Sequence, residues 1–256
     1  MIKFGYENEK KFCEILNDKF INQLEEKYIK LLKIIFEENL NSKTYIACWK
    51  SFKTDKADII IRAGKIKKYI SIKSGKNNSI HLESLQDFKK YLKELNFPEE
   101  LIKIYEKYHY AMEENKRLSI KEYQEKHQDE IQKFNQFANQ EEILNKVIDH
   151  FLFTGNNENS HPVDAIIYGT QENFICLKKQ DIVNHLLSQN EKFNSIHFSS
   201  LVLQPWTRNL NFNPKYEYRR NFVQIKWYRL EEIFLQIKTS LYPSITDHVG
   251  KEKNRP

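Results

Sequence analysis

Cysteine is scarce in this chain: Cys13, Cys48 and Cys176 are its three, far apart and odd in number. That count excludes a disulfide-framed secreted domain and a thiolate zinc site, and makes buried thiols in a reducing cytoplasm the expectation. No apolar run reaches the length of a membrane span, and the opening Met1–Phe4 does not begin a signal peptide, so no membrane partner is expected. The eight histidines contain no HxxxH or HxH pair, and His161 with Asp164 is not a binding cluster; a turn entering a strand is the better reading there. Internal repeats, a clear linker and an aromatic platform for single-stranded nucleic acid are missing as well. What is present is 256 residues, 40% hydrophobic and 30% charged: a globular chain, expected to form one α/β domain with a helical insertion.

Acid is missing from one stretch in particular. Residues 62–76 carry Arg62, Lys65, Lys67, Lys68, Lys73 and Lys76 and no Asp or Glu. Residues 204–229 hold Arg208, Lys215, Arg219, Arg220, Lys226 and Arg229 against the single acid Glu217, whereas 94–142 is mostly acidic. The net charge of +6 is modest; its distribution is not. One lysine run is ordinarily a solvated surface. Two runs flanking strand patterns predict a positive cleft for a polyanion.

The hydrophobic periods predict helix over residues 6–38, a short strand at Tyr45–Trp49, and a polar loop over 74–81 leading into a helix at about 83–95. Charged helical pieces fill 99–153, with a capping box at Ser119 and Glu122, an N-cap at Asn139 and a terminating Gly155. From Val163 the pattern turns to strands: Val163–Tyr168 and Phe174–Leu177 as a hairpin, then Phe198–Leu203 and Phe222–Trp227. A short helix, Gln180–Leu187, separates these pairs, and a last one, Glu231–Thr239, precedes a flexible tail at 243–256.

The most informative stretch is Lys56–Lys73. An apolar run Ala57–Ile61, a turn at Ala63–Gly64 and an alternating strand Lys68–Lys73 predict a β-hairpin. Side chains alternate faces along a strand, so Tyr69, Ser71 and Lys73 share one face. Asp58 on the first strand and Lys73 on the second then converge on one point, the layout that holds a divalent metal and a water beside a phosphodiester.

On these residues the chain resembles the PD-(D/E)xK nuclease superfamily, which includes most type II restriction endonucleases. Asp58 matches the first acid and Lys73 the lysine of the signature; Ser71 stands where the middle acid usually is, as a neutral polar residue does in some small restriction enzymes of the superfamily. Three other stretches are similar to parts of these enzymes. Gly5–Leu16 resembles the first helix, which often supplies an extra acid, here Glu9; Phe153–Gly169 resembles a second structural strand; Leu203–Trp227 resembles the C-terminal strand pair of small restriction enzymes.

The resemblance implies a restriction-endonuclease-like mixed central sheet flanked by helices, within one nuclease domain over 1–242. It places a helical insertion at about 83–153 and a DNA-reading β region at about 160–240. It implies a catalytic set of Asp58, Ser71, Lys73 and Glu9, with Asp58, Glu9 and Ser71 around Mg2+, for which Mn2+ is a substitute. Whether Ser71 binds the metal or is a spacer stays open. Glu83 is read as an ordinary first-turn acid of its helix. Lys76, Asn78, Gln204, Arg208, Arg219 and Arg220 are the candidate DNA contacts, since amide side chains bond adenine edges and arginines bond guanine or phosphate. Trp227 is expected to pack into the core. The implied activity is hydrolysis of double-stranded DNA by a sequence-specific restriction enzyme, with a companion DNA methyltransferase at the same site, acting as monomer or homodimer. The alternatives are a structure-selective superfamily nuclease in repair or phage defence, and a catalytically degenerate DNA-binding protein.

Overall fold

The computed structural model describes residues 2–37, 40–52, 55–75, 78–113, 116–157, 159–189, 192–205 and 218–241. The predicted helix over 6–38 is two: α1 (Ile2–Leu16) and α2 (Glu26–Phe36), separated by β1 (Lys19–Phe20) and a 3-10 turn. Asp18 takes φ +55° at the break. An apolar stripe can continue through such a break because it records burial and not backbone continuity.

β2 (Tyr45–Lys50), β3 (Ile59–Ala63) and β4 (Ile66–Lys73) follow as an antiparallel meander. Ala63 pairs with Ile66 across a two-residue turn whose Gly64 has φ +59°, the glycine position that matches strand twist in a tight hairpin. β5 (Ser79–Ser84) corrects the loop predicted at 74–81. Its polar sequence is a poor strand signal, and its partner lies some 140 residues further along.

α3 (Leu85–Glu94), α4 (Glu99–Tyr110), a small hairpin of β6 (Met112–Glu113) and β7 (Lys116–Arg117), α5 (Ile120–Lys126), α6 (Gln128–Ala138) and α7 (Glu141–Ile148) come next. Ser119 and Glu122 form the predicted capping box. Asn139 instead closes α6, and its side chain bonds the 197–199 segment, leaving Gln140 to cap α7. The last turn widens into a π-helical turn, Asp149–Thr154, ended by Gly155 at φ +69°. β8 (Ala165–Gly169), β9 (Phe174–Lys178), α8 (Lys179–Ser188), β10 (His197–Phe198), β11 (Leu201–Gln204), β12 (Phe222–Trp227) and α9 (Leu230–Leu241) complete the order.

Six strands form a mixed central sheet, β1-β2-β3-β4-β8-β9, in which only β4 and β8 run parallel; β10-β11-β12-β5 form a second, antiparallel sheet. Alternation divides the core. Ile59, Ile61, Ile70, Ile72 and Ile167 pack against α1 and α2 on one face of the central sheet. Ile166 and Leu177 face the other way, into the larger core shared by α3–α9 and the second sheet, where Trp227 is fully buried. Each buried isoleucine contributes roughly 1.5–3 kcal/mol, so a one-residue slip of β4 would cost several of these at once.

Candidate active site

Asp58 stands just before β3, with its backbone held across the hairpin: its N–H donates to the Ile70 carbonyl at 2.9 Å and its carbonyl accepts from Ser51 N–H at 3.0 Å. The carboxylate turns onto β4. Oδ2 accepts from Ser71 Oγ at 2.9 Å and from the Ile72 N–H at 2.6 Å. Lys73 Nζ lies 3.7 Å from the same oxygen. Among the described residues Oδ1 has no hydrogen-bond partner. The side chains of Asp58 and Lys73 are 26% and 21% exposed, accessible enough to meet a ligand yet held in place. The predicted convergence of Asp58, Ser71 and Lys73 is therefore the geometry found. Ser71 is buried, 1% exposed, and its hydroxyl orients the carboxylate.

Glu9 goes elsewhere. Its Oε2 lies 2.6 Å from Lys50 Nζ, which also sits 3.5 Å from the centre of the Tyr6 ring. Lys50 pairs across the strands with Ile59, whose side chain faces α1 and α2, whereas Asp58 turns to the opposite side with Ser71. Among the described residues no hydrogen bond or ion pair joins Glu9 to Asp58, Ser71 or Lys73. The helix resemblance located an acid on α1 but not the lysine that takes its charge.

Lys56 is the neighbour that sequence reasoning missed. Its ammonium donates to the Ile80 carbonyl at 3.0 Å, which bridges the hairpin to β5. Burial lowers its pKa to about 7, with repulsion from Lys73 adding to the effect and Asp58 and Glu83 opposing it. Lys56 lies two residues before Asp58 in a bent segment ahead of β3, so no strand alternation in the sequence points it at the site. Gly155 packs beside Lys56 at φ +69°, the left-handed conformation that favours glycine.

Beyond Lys56 lies a polar pocket inside the larger core. Glu83 is in β5 and not in a first helical turn; Ser84 is the N-cap of α3 and accepts from Asp87 N–H at 3.0 Å. One ligand-competent atom each from His81, Glu83 and His150 lies within 4.8 Å of the others, the only such group of three among the described residues. His150, placed by the π turn, stacks on Tyr91 at 4.1 Å; burial first, then His81, lowers its pKa to about 4, so it is neutral at pH 7.

The predicted DNA contacts divide. Gln204 ends β11 opposite Gln224 of β12, and both are half-buried on the face of the second sheet away from the core with Lys226; Gln204 Oε1 is buried without a hydrogen-bond partner and Gln224 Nε2 donates to Ser79 Oγ at 2.9 Å. Arg219 is exposed, with its Nε donating to Tyr218 Oη at 3.1 Å. Arg220 is half-buried with its guanidinium over the Tyr110 ring, and its carbonyl is 2.9 Å from His109 Nε2. Asn78 has a structural partner instead: its side-chain amide donates to the Trp227 carbonyl at 2.9 Å, and its own carbonyl accepts from Trp227 N–H. Lys76 and Arg208 lie outside the described residues.

No family model matches the chain, and no curated protein does. Among solved structures it is similar to the crystal structure of restriction endonuclease MspI in complex with its cognate DNA. The TM-score is 0.52 at 14% sequence identity, over 85% of this chain and 87% of that one. A likeness at that identity speaks to the fold: this chain has the mixed α/β fold of a restriction endonuclease, a six-stranded mixed sheet flanked by helices.

Proposed function

We propose that this protein is a magnesium-dependent endonuclease that hydrolyses phosphodiester bonds of double-stranded DNA, of the sequence-specific type II restriction kind. The observation that carries the reading is the Asp58–Lys73 pair, 3.7 Å apart in a restriction-endonuclease fold, Asp58 just before β3 and Lys73 at the end of the adjacent β4, with Ser71 and the Ile72 N–H aiming the carboxylate. Because both hydrogen bonds go to Oδ2, Oδ1 is the oxygen that suits a hard cation. One carboxylate is enough for magnesium, which keeps most of its waters and shares the substrate's phosphate oxygens. Asp58 would hold the ion, which would supply charge neutralisation at the phosphate and lower the pKa of a bound water. Lys73, its ammonium 3.7 Å from Asp58 Oδ2, orients the attacking water or stabilises the pentacovalent phosphate. The positive stretch along β4 and the amide face of the second sheet supply affinity and readout.

Asp58→Ala and Lys73→Ala are expected to lower cleavage of plasmid DNA in magnesium by at least about 10²–10³-fold. Binding in calcium, read by fluorescence anisotropy, should persist in both. Turnover like that of the wild type in either variant would refute the assignment. Defined fragments from the wild-type protein separate a restriction enzyme from a nuclease that reads DNA structure. The lone carboxylate also leaves a second reading, a DNA-binding protein without hydrolysis; specific binding with no nicking in magnesium or manganese is its signature.

A further inference from the structure

We propose that His81, Glu83 and His150 form a second metal site, built for a zinc-class divalent cation and distinct from the Asp58 site. The side chains of His81 and Glu83 are 9% and 2% exposed. Glu83 Oε2 accepts from Asn156 Nδ2 at 3.2 Å, while Oε1, His81 Nε2 and His150 Nε2 are all buried and without a hydrogen-bond partner. A buried carboxylate facing two buried, unpartnered imidazole nitrogens is costly unless a cation or donor fills the gap. His81 Nε2 stands 3.6 Å from Oε2, an ion pair only when the imidazole is protonated and too long for a hydrogen bond, so Oε1 and both imidazole nitrogens keep no hydrogen-bond partner. Lys56 does not fill the gap either: its ammonium donates to the Ile80 carbonyl and, among the described residues, makes no hydrogen bond or ion pair with Glu83.

The spacing suits a metal. Bonds of about 2.1 Å in tetrahedral geometry put ligand atoms about 3.4 Å apart. The 3.6 Å separation meets that, and ordinary side-chain torsions bring the rest of the 4.8 Å group inward. Two imidazoles with one carboxylate select zinc, cobalt or a similar d-block ion over magnesium and leave a position open.

The surrounding structure holds the ligands. His150 stacks on Tyr91 and His81 packs on Phe151 at 4.9 Å, while Asn156 holds the carboxylate through Oε2. A cleft of about 750 Å³ lined by Asp55, Lys56, His81, Leu82, Asn156 and Asn157 opens beside His81. The ion would clamp β5, an edge strand of the second sheet, to the π turn that ends the helical segment.

Chelator-stripped full-length protein titrated with Co2+ should develop the visible d–d absorption of a low-coordinate cobalt ion, saturating at one equivalent and displaced by Zn2+. His81→Gln, Glu83→Gln and His150→Gln should each weaken binding by more than about 100-fold, since losing an outer-shell partner alone costs about 10–100-fold. Asp58→Asn, which removes the candidate catalytic carboxylate, should leave the spectrum intact. X-ray absorption on the zinc-loaded wild-type protein, which needs no variant to fold, should show two imidazole nitrogens in the first shell. An all-oxygen shell, absence of stoichiometric cobalt binding, a spectrum that survives His150→Gln, or one lost in folded Asp58→Asn would each overturn the proposal.

Discussion

Lys56 stands between two carboxylates, and yet its ammonium is disfavoured. Asp58 and Glu83 pull its pKa up, but burial and Lys73 outweigh them and bring it to about 7. The unfolded chain holds that lysine near its ordinary value of about 10.4. Between about pH 7 and 10.4 the unfolded state therefore binds more protons than the folded one, and stability rises with pH across that window. Each pKa unit is worth about 1.4 kcal/mol, so the cost carried below pH 7 and relieved at high pH is on the order of a few kcal/mol. Lys56→Met, measured by urea denaturation with chelator present, is expected to flatten this rise. A profile as steep as that of the wild type would show that Lys56 is charged in the folded protein. The same scale explains why Glu9 and Asp58 part: each carboxylate takes the nearest lysine on its own side of the sheet.

At the scale of elements, the turn at Ser84 decides where the second sheet ends. β5 runs into α3 with no intervening loop, and Ser84 makes the transition by accepting from Asp87 N–H and donating to Asp87 Oδ2 at 2.6 Å. The Leu85 N–H meanwhile donates to the Asn221 carbonyl, tying the helix start to the segment before β12. Ser84→Ala is expected to cost about 1 kcal/mol of stability by denaturant titration, the ordinary value of a lost N-cap. A change below a few tenths would mean that the Leu85 contact alone holds the junction. The π turn at Asp149–Thr154 acts in the same way at the other end of the helical segment: its extra residue per turn presents His150 to β5 while keeping Phe151 and Phe153 buried.

On the scale of the whole molecule, the central sheet carries the Asp58 site and the second sheet carries the candidate reading surface, with β5 and Lys56 joining them. Gln204 and Gln224 lie half-buried on neighbouring strands on the side away from the core, and Arg219 is exposed. Gln204→Ala should shift preference among DNA sequences by about 1–3 kcal/mol at one position. Arg219→Ala should weaken binding to all sequences and lower the salt slope by about 1. Selection from randomised duplexes and titrations at several salt concentrations read these outcomes; unchanged preference and unchanged slope would remove the second sheet from the interface.

The Asp58–Lys73 hairpin was legible from the chain alone because everything that forms it is local. A two-residue turn with glycine at positive φ, period-two alternation and unbroken isoleucines set register and face within about twenty residues. The same holds for the Ser119 capping box and for β12, whose alternation carries Trp227 inward. Only the tertiary structure decided the rest. β5 is a strand because β12, some 145 residues away, supplies its hydrogen-bond partners, and no local period announces a partner that distant. His81, Glu83 and His150 meet because that pairing and the π turn bring two remote segments together in one core. Local periodicity encodes backbone conformation, the buried face and so the Asp58–Lys73 pair; which side chains from remote segments share a pocket is set by long-range packing.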